Sequence, residues 1–248
     1  YNIVAATPYG KDPMKDLAAA CREQGLKFCF YHSILDWHHP QARGAEFPKY
    51  VEHMKGQLRE LLTNYGPIGI LWFDGQWVRE WDQAQGRELA KFVRGLQPEI
   101  IINNRVGKRT TEDGDYETPE QRIPASAIPN RLWETCMTMN NSWGYKRDDQ
   151  NWKSSDDLIR KLIDIASKGG NFLLNVGPTA EGLIPQPSVE RLQAIGRWMK
   201  INGEAIYATT ASPVQTYTHD GRYTRKGDVV YAHVFSWPKE GVRLGGLR

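Results

Sequence analysis

Cysteine is scarce in this sequence, and its pattern excludes several classes of protein. The 248 residues contain 3 cysteines, at Cys21, Cys29 and Cys136. None belongs to a closely spaced CxxC pair, so the sequence indicates neither a disulfide framework nor a cysteine-based zinc site. Because the first two lie in apolar surroundings, we interpret the cysteines as buried thiols.

Long apolar runs and charge of one sign are also missing. No stretch approaches the roughly 20 apolar residues of a membrane-spanning helix, and the first residues do not have the pattern of a signal peptide. The 32 basic and 29 acidic side chains give a formal net charge of +3 and are dispersed along the chain. Nucleic acid is therefore not indicated as a partner.

Glycine-rich nucleotide-binding loops are absent, whereas strand-like and helix-like segments alternate regularly. No GxGxxG fingerprint follows the first predicted strand, and there is no GxxxxGK[ST] loop. The apolar patterns predict strands at 26–33, 68–74, 99–104, 131–139 and 171–176, and helices at 12–24, 47–65, 82–96, 155–167 and 187–202. Strands that alternate with helices favour right-handed crossovers and a parallel sheet.

The predicted fold class is α/β, as a TIM barrel of the (β/α)8 type. Such a barrel needs eight strands, so we expect the N-terminal strands, about three β/α units, to be missing from this chain. Residues 217–235 alternate between apolar and polar and contain turn signals, which predicts antiparallel strands. We therefore predict a partial barrel domain at 1–208 and the beginning of an all-β sandwich domain at 209–248.

One predicted strand, ILWFDG at 70–75, ends on a carboxylate. A buried strand that ends in Asp and then Gly places an acid at the edge of a parallel sheet, where α/β enzymes hold their reacting groups. Asp74 is therefore the first candidate for a catalytic group. The alternative is that Asp74 only suits the turn that follows the strand.

The other strand ends supply side chains that suit a sugar. Tryptophan and tyrosine are abundant, with 9 and 11 residues, and Trp37, Trp77, Trp143 and Trp152 fall at predicted loops or strand ends. Aromatic rings stack on sugar faces, although ordinary core packing is the alternative. The residues that follow the predicted strands include acids, imidazoles, amides and an arginine: Tyr31, His32, Asp36, Trp37, His38, His39, Asp74, Trp77, Asn103, Asn104, Arg105, Glu134 and Asn175.

A long polar loop with the sequence DGDYETPE at 113–120 follows one of these strands. Most acidic loops are only solvated, but long loops in compact α/β domains are often functional. Glycoside hydrolysis needs two carboxyl groups, one to attack or activate water and one to protonate the leaving oxygen. Asp74 suits the first role and a loop acid the second. A zinc site at His32, His38 and His39 lacks spaced ligands, and a serine hydrolase would need a GxSxG elbow.

Several motifs together resemble the α-L-fucosidases of glycoside hydrolase family twenty-nine. They are FYHSILDWHHP at 30–40, LWFDG at 71–75, NNR at 103–105, GDYETPEQ at 114–121, WETCMTMNNSWGY at 133–145 and SKGGNFLLNVGPTAEG at 167–182. The resemblance implies that Asp74 is the nucleophile and Glu120 the acid/base, with Glu134 as the rival acid/base. It also implies substrate-binding residues in or near the fucose subsite at Tyr31, His32, Trp37, Trp77 and Arg105.

The implied activity is that of a retaining exo-glycosidase that removes terminal α-L-fucosyl residues through a covalent intermediate. The implied partner is a fucosylated oligosaccharide or glycoconjugate, with no metal and no organic cofactor required. The family implies a secreted, periplasmic or lysosomal-type location. A catalytically silent glycan-binding protein and an exo-glycosidase for another sugar are the alternatives. Because an opened barrel exposes strand edges, we expect the 248 residues alone to be unstable.

Overall fold

A computed structural model describes residues 2–110, 112–214 and 217–244. The chain divides into two compact units, residues 1–117 and 118–248, which we describe separately. The first unit contains α1 (Ile3–Ala6), α2 (Pro13–Glu23), β1 (Phe30–Ser33), α3 (Phe47–Asn64), β2 (Ile70–Asp74), α4 (Gln83–Leu96), β3 (Ile101–Ile102) and β4 (Tyr116–Glu117). The second contains β5 (Leu132–Thr138), α5 (Ser155–Ser167), β6 (Asn171–Asn175), α6 (Gln186–Asn202), β7 (Gly221–Lys226) and β8 (Val229–Val234).

In the first unit, β1, β2 and β3 form a parallel sheet in that order. The two faces of this sheet differ in burial because side chains alternate along a strand. Leu71 and Phe73 of β2 are fully buried in one hydrophobic core with Met54 and Leu58 of α3 and with Val93 of α4. The alternate β2 residues, which end with Asp74, point to the other face and are only partly buried.

Two helices of the first unit, α2 and α4, begin where side chains accept hydrogen bonds from the free N–H groups of the first turn. Asp12 accepts hydrogen bonds from the first turn of α2, whose first residue is Pro13. Asp82 and Gln85 form a capping box at the start of α4. These caps explain why the predicted starts of α2 and α4 agree with the structure.

In the second unit, β5 and β6 pair in parallel from Glu134↔Asn171 to Thr138↔Asn175. Ser154 caps the start of α5, which connects these two strands. β7 and β8 form an antiparallel hairpin, and Arg222 of β7 makes an ion pair with Asp164 of α5.

The predicted α/β class, the five parallel strands and the C-terminal hairpin are confirmed. β3 is shorter than the predicted strand at 99–104, because Asn104–Val106 turns into a 3₁₀ helix. The interpretation of all cysteines as buried is wrong, since Cys29 is exposed and Cys21 is only partly buried. The predicted boundary near 208 stays a prediction, and 215–216 and 245–248 of its C-terminal domain lie outside the described residues. No helix within the described ranges combines the length and apolarity that crossing a membrane requires.

Candidate functional site

Asp74 is the last residue of β2, at the C-terminal edge of the parallel sheet. It pairs with Ser33 of β1, and the Ile34 N–H donates a 2.7 Å hydrogen bond to the Asp74 carbonyl oxygen. The next residue, Gly75, has φ +77°, and a Cβ there would lie 2.5 Å from the Leu35 backbone nitrogen. Only glycine allows the two loops to approach this closely, so the backbone around Asp74 is held against β1 and the loop that follows it.

Both oxygens of the Asp74 carboxylate accept hydrogen bonds from side chains. The Tyr31 hydroxyl donates to Oδ2 over 2.8 Å, and Arg105 Nη1 donates to Oδ1 over 2.8 Å. Arg105 is 2% exposed and Asp74 is 17% exposed, so the ion pair is largely shielded from water. The two donors hold the carboxylate in one orientation, and the guanidinium balances its charge.

Trp72 completes this group, although the sequence analysis did not select it. Its ring stacks on Tyr31 with centroids 5.6 Å apart, and the Arg105 guanidinium carbon lies 4.5 Å from the ring centroid. Trp72 stands two residues before Asp74, so it projects from the same face of β2. That spacing is the signal that could have identified Trp72 from the sequence.

Asn103 and Asn104 place Arg105 beside Asp74. The Asn103 side chain is fully buried, accepts a hydrogen bond from the Phe73 N–H and donates one to the Phe73 carbonyl, each 3.0 Å long. The backbone pairing of β2 with β3 ends at Ile102. The Asn103 amide therefore takes the place of the next backbone hydrogen bonds between the two segments. The chain then turns through the 3₁₀ helix at Asn104–Val106, which returns Arg105 to the Asp74 carboxylate.

Three acids of the acidic loop, Asp113, Asp115 and Glu117, lie in the first unit and differ in the groups that they bind. Asp113 accepts the Thr110 N–H, and Asp115 accepts 2.7 Å bonds from Arg94 and from the Ile102 N–H. Both therefore stabilise the loop. Glu117 instead accepts a 2.5 Å hydrogen bond from Asn104, the neighbour of Arg105.

His32 lies on the opposite face of β1 from Tyr31, so the structure does not bring its ring to the Asp74 carboxylate. The ring packs edge-on against Phe73 with centroids 6.1 Å apart. Burial lowers the pKa of His32 to about 4, although a hydrogen bond with Gln57 and the charge of Asp36 act in the other direction. Nδ1 of His32 is buried and has no hydrogen-bond partner within the described residues.

The two loop tryptophans lie outside the Asp74 group. Trp37 is 77% exposed and Trp77 is 56% exposed. Arg43 lies over the Trp37 ring, at 4.8 Å from its centroid. Of the five substrate-binding residues named from the sequence, Tyr31 and Arg105 are therefore the two that contact Asp74.

The adjacent histidines also separate from one another. His39 packs its ring against His53, with centroids 4.6 Å apart, whereas His38 is exposed. Over the described ranges, no group of three His, Cys, Asp or Glu side chains is arranged to hold a metal ion.

In the second unit, Glu120 and Glu134 lie on one face of the same sheet but at different positions along the direction of β5. Glu120 forms a parallel bridge with Cys136. Glu134 stands two residues before Cys136 on β5, so both acids project to the same side. Two residues correspond to about 6.6 Å along a strand. Glu120 is therefore the acid nearer to the C-terminal end of β5.

The parallel sheet and its helices define an α/β protein. The carboxylate at the end of one strand, held by a tyrosine and a buried arginine, is typical of an enzyme site. Comparison with known proteins gives the family. The alpha-L-fucosidase family model matches residues 1–204. The chain belongs to the alpha-L-fucosidase family, and the resemblance indicated by the sequence motifs is confirmed.

Individual relatives agree with this assignment. The chain is 33% identical to human tissue alpha-L-fucosidase over 247 residues, which cover 94% of this chain and 53% of the relative. Alpha-L-fucosidase isoenzyme 1 from Paenibacillus thiaminolyticus has a TM-score of 0.83 and 40% identity, over 92% of this chain and 61% of that one. The chain thus spans about half the length of the curated relatives it matches.

One structural neighbour bears directly on mechanism. It is the family twenty-nine alpha-L-fucosidase from Bacteroides thetaiotaomicron, described as a trapped covalent intermediate in complex with 2-fluoro-fucosyl fluoride. Its TM-score is 0.85 and its identity 30%, over 95% of this chain and 60% of that chain.

Proposed function

We propose that the intact protein is a retaining α-L-fucosidase that hydrolyses terminal α-L-fucosyl residues of glycans. The observation that carries this proposal is the Asp74 carboxylate, held by Tyr31 and Arg105 at the end of β2. Family membership and the covalent intermediate trapped in the Bacteroides relative support a retaining reaction. No metal or organic cofactor is needed for this chemistry.

In the first step, an Asp74 oxygen attacks the anomeric carbon while an acid protonates the departing glycosidic oxygen. The bond from the anomeric carbon to the leaving group breaks as the bond to Asp74 forms, which gives a fucosyl-enzyme. In the second step, the same acid, now a base, takes a proton from water, and the oxygen of that water replaces Asp74. Two inversions at the anomeric carbon give retention.

The residues around Asp74 have separate roles in this reaction. Arg105 and Tyr31 keep the nucleophile aligned, and Arg105 offsets the negative charge that returns to Asp74 in the second step. The Trp72 ring packs against both Tyr31 and Arg105 and so supports the two donors beside the carboxylate. His32 contributes by supporting β1 from the core.

Glu120 is the acid/base in this proposal, and Glu134 is its rival. The register of β5 supports Glu120, because the active groups of such folds gather at the C-terminal ends of the strands. The separation expected between the Asp74 and Glu120 carboxyl groups is about 5–5.5 Å for retention, against about 6.5–9.5 Å for inversion. Glu117 is a third acid for the same test, because it contacts the neighbour of Arg105.

The larger architecture belongs to the same proposal. The parallel strands of both units would be parts of one TIM barrel within 1–208, and the β7–β8 hairpin would begin a sandwich domain at 209–248. The substrate would be a fucosylated glycan outside the cytosol. The tissue and plasma fucosidases among the relatives support a lysosomal or secreted location.

The nucleophile is tested with Asp74→Gly in the intact protein. Turnover of an aryl α-L-fucoside should fall by several orders of magnitude, and azide should restore activity with a β-fucosyl azide product. Asp115→Gly is the matched control, because it removes a loop acid without touching the Asp74 carboxylate. Full activity of Asp74→Gly, or azide rescue with an α-configured product, would contradict the role of Asp74.

The acid/base is tested by comparing Glu120→Ala, Glu134→Ala and Glu117→Gln. The true acid/base variant keeps slow cleavage of substrates with good leaving groups, loses cleavage of natural glycosides and responds to azide with an α-fucosyl azide. We expect this pattern for Glu120→Ala. The same pattern in one of the other variants would transfer the role to that residue.

A further inference from the structure

A cavity lies at the C-terminal end of β1, between the loop that follows this strand and α3. It has a volume of about 330 Å³, and its lining residues are Ser33, Leu35, Asp36, Trp37, His38, Tyr50 and Gln57. Tyr50 and Gln57 belong to α3, whereas Ser33 is the β1 residue that pairs with Asp74. The cavity therefore borders the Asp74 group without including Tyr31, Trp72, Asp74 or Arg105, and its volume is within the range of small-molecule sites.

The loop that carries Trp37 starts directly beside Asp74. Ser33 pairs with Asp74, and the Ile34 N–H binds the Asp74 carbonyl oxygen. Neighbouring strands lie about 4.8 Å apart, so the loop leaves the sheet edge within one strand of Asp74. A glycan whose terminal sugar reaches Asp74 would therefore have this loop within reach of its next sugar.

The loop is also held in a fixed shape. Asp36 Oδ1 accepts hydrogen bonds from the backbone N–H groups of His38 and His39, at 2.8 and 3.2 Å. Further along, the Gly44 N–H donates a 2.7 Å bond to Glu80, which ties the loop to the connection after β2. A binding surface that is already rigid loses little entropy when a ligand binds.

Trp37 offers an exposed stacking plane beside polar groups. Its side chain is 77% exposed, and the Arg43 guanidinium lies over the ring, 4.8 Å from its centroid. Asp36, His38 and Gln57 line the same cavity and supply carboxylate, imidazole and amide groups. An aromatic plane with a few hydrogen-bonding groups is the chemistry that recognises a neutral pyranose ring.

From these observations we infer that the Trp37 cavity is a subsite for the leaving-group side of the substrate. It would bind a neutral sugar of the glycan beyond the cleaved fucose. This assignment rests on the proposed function and changes the role of Trp37 from fucose binding to recognition of the remaining glycan.

The test compares Trp37→Ala with Trp237→Ala in the intact protein. Trp237 is the matched control, because its side chain is also 77% exposed but lies in the second unit, after β8. The substrates are an aryl α-L-fucoside, which lacks the second sugar, and a panel of fucosylated trisaccharides of different linkage. The measured quantity is kcat/KM on each substrate, with the thermal transition of each variant recorded as a check of folding.

Trp37→Ala should lower kcat/KM for the best-cleaved trisaccharide about tenfold more than for the aryl fucoside. Trp37→Tyr should recover most of the loss, and Trp237→Ala should change neither substrate. Equal losses on both substrates would overturn the inference by returning Trp37 to the fucose subsite. An unchanged trisaccharide rate, or an unaltered protein that cleaves only the aryl fucoside, would also overturn it. If the unaltered protein cleaves neither substrate, the proposed function itself fails.

Discussion

At the scale of single residues, the two faces of a strand give neighbouring side chains opposite roles. Tyr31 donates to the Asp74 carboxylate, whereas His32 lies in the helix-facing core against Phe73. The motif at 30–40 predicts that both residues matter, but the face that each one occupies depends on where the strand begins. Trp72 was missed because a tryptophan within an apolar run is normally interpreted as a core residue, whichever face of the strand it occupies.

His32 should make the stability of the protein depend on pH. Its folded-state pKa of about 4 lies below the ordinary value of 6.5. Between these two values the unfolded chain binds a proton that the folded chain does not. The free energy of unfolding should therefore decrease as pH falls from about 6.5 to about 4, by on the order of 3 kcal/mol.

Denaturant unfolding at a series of pH values measures this effect. His32→Gln should flatten the curve between pH 4 and 6.5. An identical slope in His32→Gln and the unaltered protein would show that His32 is not the group responsible.

At the scale of elements, the sequence predicts helices better than strand ends. Helix starts carry their own signals, such as Asp12 followed by Pro13, or the capping box of α4. The end of β3 has no such signal in the sequence. The strand-like pattern continues past Ile102, but the Asn103 side chain, and not the backbone, binds the Phe73 N–H and carbonyl groups. The choice between Glu120 and Glu134 likewise depends on the register of β5, which single-sequence periodicity does not give.

The turn after β2 provides an element-scale prediction. Gly75→Ala should destabilise the protein by about 1–3 kcal/mol, because alanine is strained at positive φ and its Cβ would meet the Leu35 backbone. Gly95→Ala, in α4, meets open space and should stabilise by about 0.5–1 kcal/mol. Chemical denaturation of the two variants measures the difference, and a shift of both in the same direction would contradict the account.

At the scale of the whole molecule, open strand edges determine how the chain behaves by itself. Within the described residues, β1 pairs with β2 on one side only. Apolar strand residues are also exposed, with Ile101 at 45% and Leu173 at 43%. Unpaired edges next to apolar surface favour association with other chains.

We therefore expect the 248 residues, expressed alone, to self-associate and to unfold over a broad temperature range. Light scattering after size exclusion and a thermal melt followed by circular dichroism measure both properties. A stable monomer with one sharp cooperative transition would mean that the exposed edges are tolerated and that the expectation of instability is wrong.

The central claim, that Asp74 is the nucleophile of a retaining fucosidase, is tested most directly by covalent labelling. The intact protein is incubated with 2-fluoro-fucosyl fluoride, digested with a protease and analysed by tandem mass spectrometry. The account predicts one fluoro-fucosyl ester, on Asp74, which is absent when Asp74→Asn is treated in the same way. A label on another carboxylate, or rapid hydrolysis of fucosides with inversion and no label, would contradict it.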